Sequence, residues 1–179
     1  MKKAAFLDRD GVINKKAPEG QYITRWEELQ FLPGVAEAIA LLTQANFCVL
    51  VVSNQRCVSK GLLSVSDLES MHARMCRQLA QKGATVTKVY YCPHDNQPPC
   101  ECRKPAPGLL LTAAREHEID LNQSWMIGDS DVDVQAGRRA GCKTVLISNG
   151  DLPGKSPADL QARTLLDAAH RVLELDARS

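Results

Sequence analysis

Between positions 47 and 53 the chain reads Phe-Cys-Val-Leu-Val-Val-Ser, a nearly continuous apolar run rich in valine. A run of this kind marks a strand covered on both faces, the situation of a parallel sheet. Parallel neighbours are reached only through a crossover, usually a helix. The rest of the sequence supplies that alternation. Ala4-Ala5-Phe6-Leu7 reads as a short buried strand. Pro33-Gly34 opens a helix with Val35, Ala38, Ile39 and Leu42 on one face. Ser66-Asp67-Leu68-Glu69 reads as a capping box at the start of a helix with Leu68, Met71, Met75 and Leu79 at helical spacing, ended by Gly83. Residues 86–91 form a third strand. Pro107 then stands at the start of a helix reaching about Glu118. A fourth strand spans 125–128, a short helix 131–140 with Gly141 as its stop, and a fifth strand 144–147. An edge strand is expected at 162–165 and a final amphipathic helix at 166–175. The expected fold is α/β, a doubly wound and mostly parallel sheet, in a single domain spanning 1–179.

The formal net charge is +1, which offers no general attraction to nucleic acid or to an anionic membrane. Three phenylalanines, three tyrosines and two tryptophans give no evident stacking groove for single strands. No apolar stretch is long enough to span a bilayer. Met1-Lys2-Lys3 leads directly into the first strand, leaving no room for a signal-peptide core. A cytoplasmic, monomeric protein with a small-molecule substrate, and neither nucleic acid nor membrane as partner, is the expectation.

Four polar signals fall at strand ends, where open α/β sheets bind ligands. The first strand closes on Asp8-Arg9-Asp10-Gly11. Carboxylates one residue apart allow one to attack and the other to handle a proton, and leave oxygens for a hard cation such as Mg²⁺. The second strand ends in Ser53-Asn54-Gln55, where a hydroxyl backed by backbone N–H groups suits a phosphate oxygen. Lys104 is a point charge suited to phosphate. The fourth strand ends in Gly128-Asp129-Ser130-Asp131-Val132-Asp133; Asp129 suits a metal, and Asp133 suits orienting a neighbour such as Lys104. Taken singly, each admits a plain reading: an acidic turn, an ordinary turn, a solvated cation, helix-capping acids.

Seven cysteines is an odd count, and the tight clustering of several argues for metal rather than a disulfide framework. Cys92-Pro93-His94 and Cys100-Glu101-Cys102 offer three thiolates and one imidazole, a closed tetrahedral set for structural Zn²⁺. The intervening segment is polar and proline-rich, with little to bury, so the metal would supply the missing core and aim Arg103 and Lys104. Cys48 and Cys142 read as small core residues, and Cys57 as a loop cysteine open to exposure.

In this order, each at a strand's carboxyl end, the four signals resemble the motifs of the haloacid dehalogenase superfamily of phosphatases. The resemblance covers nearly the whole chain. It implies Asp8 as nucleophile, Asp10 as general acid/base, Ser53 as the hydroxyl that binds the transferring phosphoryl group and Lys104 as the cation that neutralises it. It also implies Mg²⁺ held by Asp8, Asp129 and the backbone carbonyl of Asp10. The combination Asp-x-Asp-Gly, Cys-Pro-His, Cys-x-Cys-Arg-Lys-Pro and Gly-Asp is similar to the zinc-containing branch, whose members act on heptose bisphosphate or histidinol phosphate. The segments between motifs are too short for a separate cap domain, so an open site rimmed by loops is expected. The substrate rim would be Asn54, Gln55, Arg56, Lys60, Arg103 and Ser130. Heptose-type members carry Asn-Gln-Ser-Gly-Ile-Ala-Arg-Gly after the second motif; this chain has Asn54-Gln55-Arg56-Cys57-Val58-Ser59-Lys60-Gly61, which keeps the basic residue and the glycine. Histidinol-type members carry an acid where Arg56 stands, which favours the heptose side. Ser130 replaces a lysine common in the heptose type, and residues 15–22 form a longer loop than usual.

Overall fold

The computed structural model describes residues 1–148 and 157–178. The strands are β1 (Lys3–Leu7), β2 (Phe47–Asn54), β3 (Lys88–Cys92), β4 (Trp125–Gly128), β5 (Lys143–Ile147) and β6 (Leu160–Ala162). The helices are α1 (Val35–Gln44), α2 (Val65–Ala80), α3 (Gly108–His117), α4 (Asp131–Ala140) and α5 (Leu165–Asp176). All six strands pair in parallel in the order β3-β2-β1-β4-β5-β6. The expected doubly wound α/β sheet is therefore the observed one.

Alternation of side chains along each strand builds a core on both faces. Ala5 and Leu7 of β1, Val49 and Val51 of β2 and Ile127 of β4 face the layer made by α1, α2 and α5. Ala4 and Phe6, Leu50 and Val52, and Met126 face the opposite layer, made by α3 and α4. Packing α4 onto β4 requires Gly137: a Cβ there would lie 2.6 Å from the Met126 Cβ.

Several boundaries differ from the sequence reading. Helix α2 starts two residues earlier, because Ser64 and not Ser66 is its N-cap; Ser64 Oγ accepts from the Asp67 N–H at 3.0 Å. That register leaves Val65 exposed on the first turn and still buries Leu68, Met71, Met75 and Leu79. Strand β3 lies about two residues later than expected, because its ladder with β2 continues to Cys92 opposite Asn54. The edge strand comes earlier, Leu160–Ala162, where it pairs with β5. Cys57 is buried, not exposed, since its loop folds back beneath Gln55. Cys142 is in the core, whereas Cys48 is only half-buried.

The strand order reverses at β1. The chain moves outward through β2 and β3, then crosses back to lay β4 on the other side of β1. The crevice for a ligand therefore opens between the carboxyl ends of β1 and β4. Among the described residues, the connections 8–34 and 55–64 hold one short 3-10 turn, Trp26–Glu28, and no other regular element.

Candidate active site

Asp8 extends the β1 ladder by one residue, its N–H donating to the Ile127 carbonyl at 3.0 Å. That bond puts Asp8 at the tip of β4, where Gly128 and Asp129 follow. Gly11, at φ +91°, turns the chain directly against Asp129; any Cβ there would run into the Asp129 carboxylate. Glycine is thus required twice over, for its backbone conformation and for the close approach.

A cavity of about 380 Å³ opens over these tips, walled by Asp8, Asp10, Gln55, Lys104, Asp129, Ser130 and the loop from Lys16 to Ile23. At its base Lys104 Nζ lies 2.8 Å from Asp8 Oδ1 and 2.7 Å from Asp133 Oδ1, and donates to the Val52 carbonyl at 2.7 Å. Burial disfavours the ammonium, but Asp133 and Asp8 outweigh it and hold Lys104 protonated well above the ordinary lysine range. Burial pushes the Asp8 carboxyl up to about 7, against the pull of Lys104. The backbone of Lys104 is clamped by Asn54, whose amide accepts from its N–H and donates to its carbonyl, both at 3.0 Å. Asp133 and Asn54 thus position the lysine from two sides, and Ser130 Oγ donates to Asp133 Oδ2 at 2.6 Å.

Asp8, Asp129 and Asp133 each present a carboxylate oxygen within 4.8 Å of the others. Asp129 Oδ1 is buried without a hydrogen-bond partner, while its Oδ2 takes an ion pair from Lys16 Nζ at 3.0 Å. Burial raises the Asp129 carboxyl from its ordinary value, Lys16 opposing. A buried carboxylate oxygen with no donor, beside a second carboxylate, fits a hard divalent cation.

Asp10 is held by several donors. Arg9 Nη2 reaches both its oxygens at 3.0 Å, Asn14 Nδ2 reaches Oδ1 at 2.9 Å, and Gln55 Nε2 reaches Oδ2 at 3.1 Å. Burial would raise the Asp10 carboxyl, but Arg9 and these amides more than offset it and hold it below the ordinary range.

The second cluster is Cys92, His94, Cys100 and Cys102. Cys92 Sγ is 3.5 Å from Cys100 Sγ and 3.1 Å from Cys102 Sγ, and His94 Nδ1 is 3.2 Å from Cys102 Sγ. Burial and the two neighbouring sulfurs push the Cys102 thiol far up. The donor set fits Zn²⁺. The cluster joins the end of β3 to the segment carrying Arg103 and Lys104, and Arg103 Nη1 donates to the His94 carbonyl at 3.2 Å.

The structure thus brings Asp8, Asp10, Lys104, Asp129, Gln55, Asn54, Arg103 and Ser130 to one cavity. It does not bring Ser53 there: that hydroxyl is buried behind the wall, 2.6 Å from Gln55 Nε2. Arg56 pairs with Asp95 at 2.6 Å and Lys60 lies over the Tyr22 ring at 5.9 Å; neither stands on the cavity wall. Sequence reasoning missed Arg9, Asn14, Lys16 and His72. The signal for Arg9 was available, a cation set between two acids at the end of an apolar run; nothing local marked His72, which lies on a helix far along the chain.

A doubly wound sheet with a carboxylate pair, a buried lysine and a cation-ready acid at its switch point defines a phosphoryl-transfer type of site. Residues 101–175 match the HAD-hydrolase-like family model. A D-glycero-beta-D-manno-heptose-1,7-bisphosphate 7-phosphatase of Pseudomonas putida is 40% identical over 148 residues, 83% of each chain. The protein of the same name in Pseudomonas aeruginosa is 40% identical over 145 residues, 81% of this chain and 80% of that one. The crystal structure of D,D-heptose 1,7-bisphosphate phosphatase from B. bronchiseptica, complexed with magnesium and phosphate, superposes with a TM-score of 0.86 at 35% identity, covering 97% of this chain and 99% of that one. This chain belongs to the HAD-like phosphatase family, in the branch of the heptose-bisphosphate phosphatases.

Proposed function

We propose that this protein removes the 7-phosphate of D-glycero-β-D-manno-heptose 1,7-bisphosphate through a phosphoaspartate on Asp8. The observation that carries the reading is the Lys104 ammonium, 2.8 Å from the Asp8 carboxylate at the floor of an open cavity. The names of the relatives support the substrate and its β anomer. Asp8, Asp129 and the Asp10 carbonyl would hold Mg²⁺, for which the partnerless Asp129 oxygen speaks. A bound Mg²⁺ would offset the repulsion between a carboxylate and a phosphate dianion.

Asp8 attacks phosphorus in line as the bond to the sugar oxygen breaks. Lys104 neutralises charge on the equatorial oxygens, and its burial makes that charge effective. A phosphate dianion beside Asp10 raises its carboxyl from the depressed position of the free protein, so that it gives a proton to the leaving oxygen and later takes one from the water that attacks the phosphoaspartate. Gln55, on the cavity wall, is placed to carry the donor role that the sequence suggested for Ser53. Arg103, on the same wall, is the cation nearest Lys104 in sequence for the distal phosphate.

Structural Zn²⁺ in the Cys92–His94–Cys100–Cys102 cluster would fix the segment from which Lys104 reaches Asp8. Phosphate release with the heptose bisphosphate and with histidinol phosphate, side by side, tests the substrate; preference for histidinol phosphate would contradict it. Asp8→Asn is expected to lower turnover by at least about 10³-fold, since covalent capture is lost.

A further inference from the structure

Arg9 separates the two aspartates, yet its side chain is only 1% exposed. Nε and Nη2 are spent on the Asp10 carboxylate, at 3.0–3.2 Å. Nη1 points the other way, 3.1 Å from His72 Nε2. A guanidinium only donates, so His72 Nε2 accepts, and the imidazole is neutral with its proton on Nδ1. His72 lies on α2, buried, with the Tyr91 ring 5.6 Å away, and takes no part in the cavity wall. Burial, then the charge of Arg9, push its pKa down to about 3, so the accepting form persists through the physiological range. A buried guanidinium held at both ends cannot pivot, and the carboxylate it grips cannot pivot either.

We propose that His72 is a positioning residue for proton transfer at Asp10: it anchors Arg9, and Arg9 sets where the Asp10 carboxyl points. This rests on the assignment of Asp10 as the acid–base group. In the first half-reaction the Asp8 oxygen–phosphorus bond forms and the phosphorus–sugar oxygen bond breaks, while Asp10 gives that oxygen its proton and is left as a carboxylate. In the second, water attacks phosphorus and releases Asp8. The water's hydroxyl stays on phosphorus, and its other proton returns to Asp10.

Leaving-group dependence separates this role from a general structural one. The ratio kcat/KM reports only the steps up to the phosphoaspartate. A sugar oxygen needs the proton of Asp10 to depart; 2,4-dinitrophenolate departs without one. His72→Leu is expected to lower kcat/KM on the heptose bisphosphate about 10-fold or more, a share of the ~10²–10⁴-fold of general acid catalysis, and to change it less than about 2-fold on 2,4-dinitrophenyl phosphate. His72→Gln, whose amide oxygen accepts from Arg9, restores the sugar substrate. Arg9→Lys, a point charge that cannot span both partners, reproduces the selective loss and carries the test if His72→Leu does not fold. Equal losses on both substrates, or no loss on either, overturn the proposal. Asp10→Asn is the control. If it shows selective loss and the His72 and Arg9 variants do not, only the His72 link fails; if it shows none, the Asp10 assignment falls and the proposal with it.

Discussion

Lys16 holds Asp129 Oδ2 at 3.0 Å with a side chain that is 60% exposed, beside the Oδ1 on which a divalent cation would draw. A tethered ammonium and a free cation compete for one carboxylate. The ion pair of an exposed lysine is a small term, so Lys16→Met is expected to tighten Mg²⁺ binding about 2- to 5-fold. Isothermal titration, or Mn²⁺ as a paramagnetic substitute, reads this without turnover; weaker binding in the variant would show that Lys16 helps to assemble the site. His72 has a different consequence. Its folded-state pKa of about 3 lies below the ordinary histidine value of 6.5. Below pH 6.5 the unfolded chain takes up a proton that the folded chain refuses, so stability falls as pH drops from about 6.5 toward 3. The slope from this one group approaches about 1.4 kcal/mol per pH unit. Denaturant melts of His72→Gln should lose that part of the acid slope; an unchanged slope would place a charged imidazole in the folded protein.

The element that matters most for function is the segment from β3 to α3. It has few apolar residues between Asp95 and Pro99, yet it delivers Lys104 to within 2.8 Å of Asp8. Asn54 clamps the lysine backbone, and Gly108 lets α3 start against the Glu101 carbonyl, where any Cβ would collide. The cysteine–histidine cluster is a further hold. Metal analysis is expected to find about one zinc per chain, and strong chelation to lower both thermal stability and turnover. A chelated protein with full activity and an unchanged melting point would leave the cluster without a structural role. At this scale the sequence was informative wherever one local pattern decided the outcome: the apolar runs, the cysteine spacing, the acids at strand tips. It misled where two local signals competed. Ser64 and Ser66 both precede the apolar stripe of α2, and only packing of the helix chose Ser64. Ser53 lies within β2 and is buried there, whereas Gln55 follows the end of the strand and stands on the cavity wall. The Arg9–His72 contact spans 63 positions and has no local signature at all.

For the whole molecule, the switch in strand order at β1 is what turns scattered residues into a site. Asp8 ends β1, Asn54 ends β2, Asp129 follows β4, and the parallel ladder brings all three to one edge. Among the described residues, the doubly wound layers cover both faces and the connections 8–34 and 55–64 rim that edge without adding a further sheet or bundle. A cavity of about 380 Å³ lies within the range of small-molecule sites, and Arg103 stands on its wall. The account depends on covalent capture at this edge. Rapid acid quench during turnover of substrate ³²P-labelled at the 7-phosphate, followed by peptide mapping, measures it directly. Label on the peptide carrying Asp8, absent in Asp8→Asn, is the predicted result; turnover with no label on the protein, or label that survives in Asp8→Asn, would contradict it.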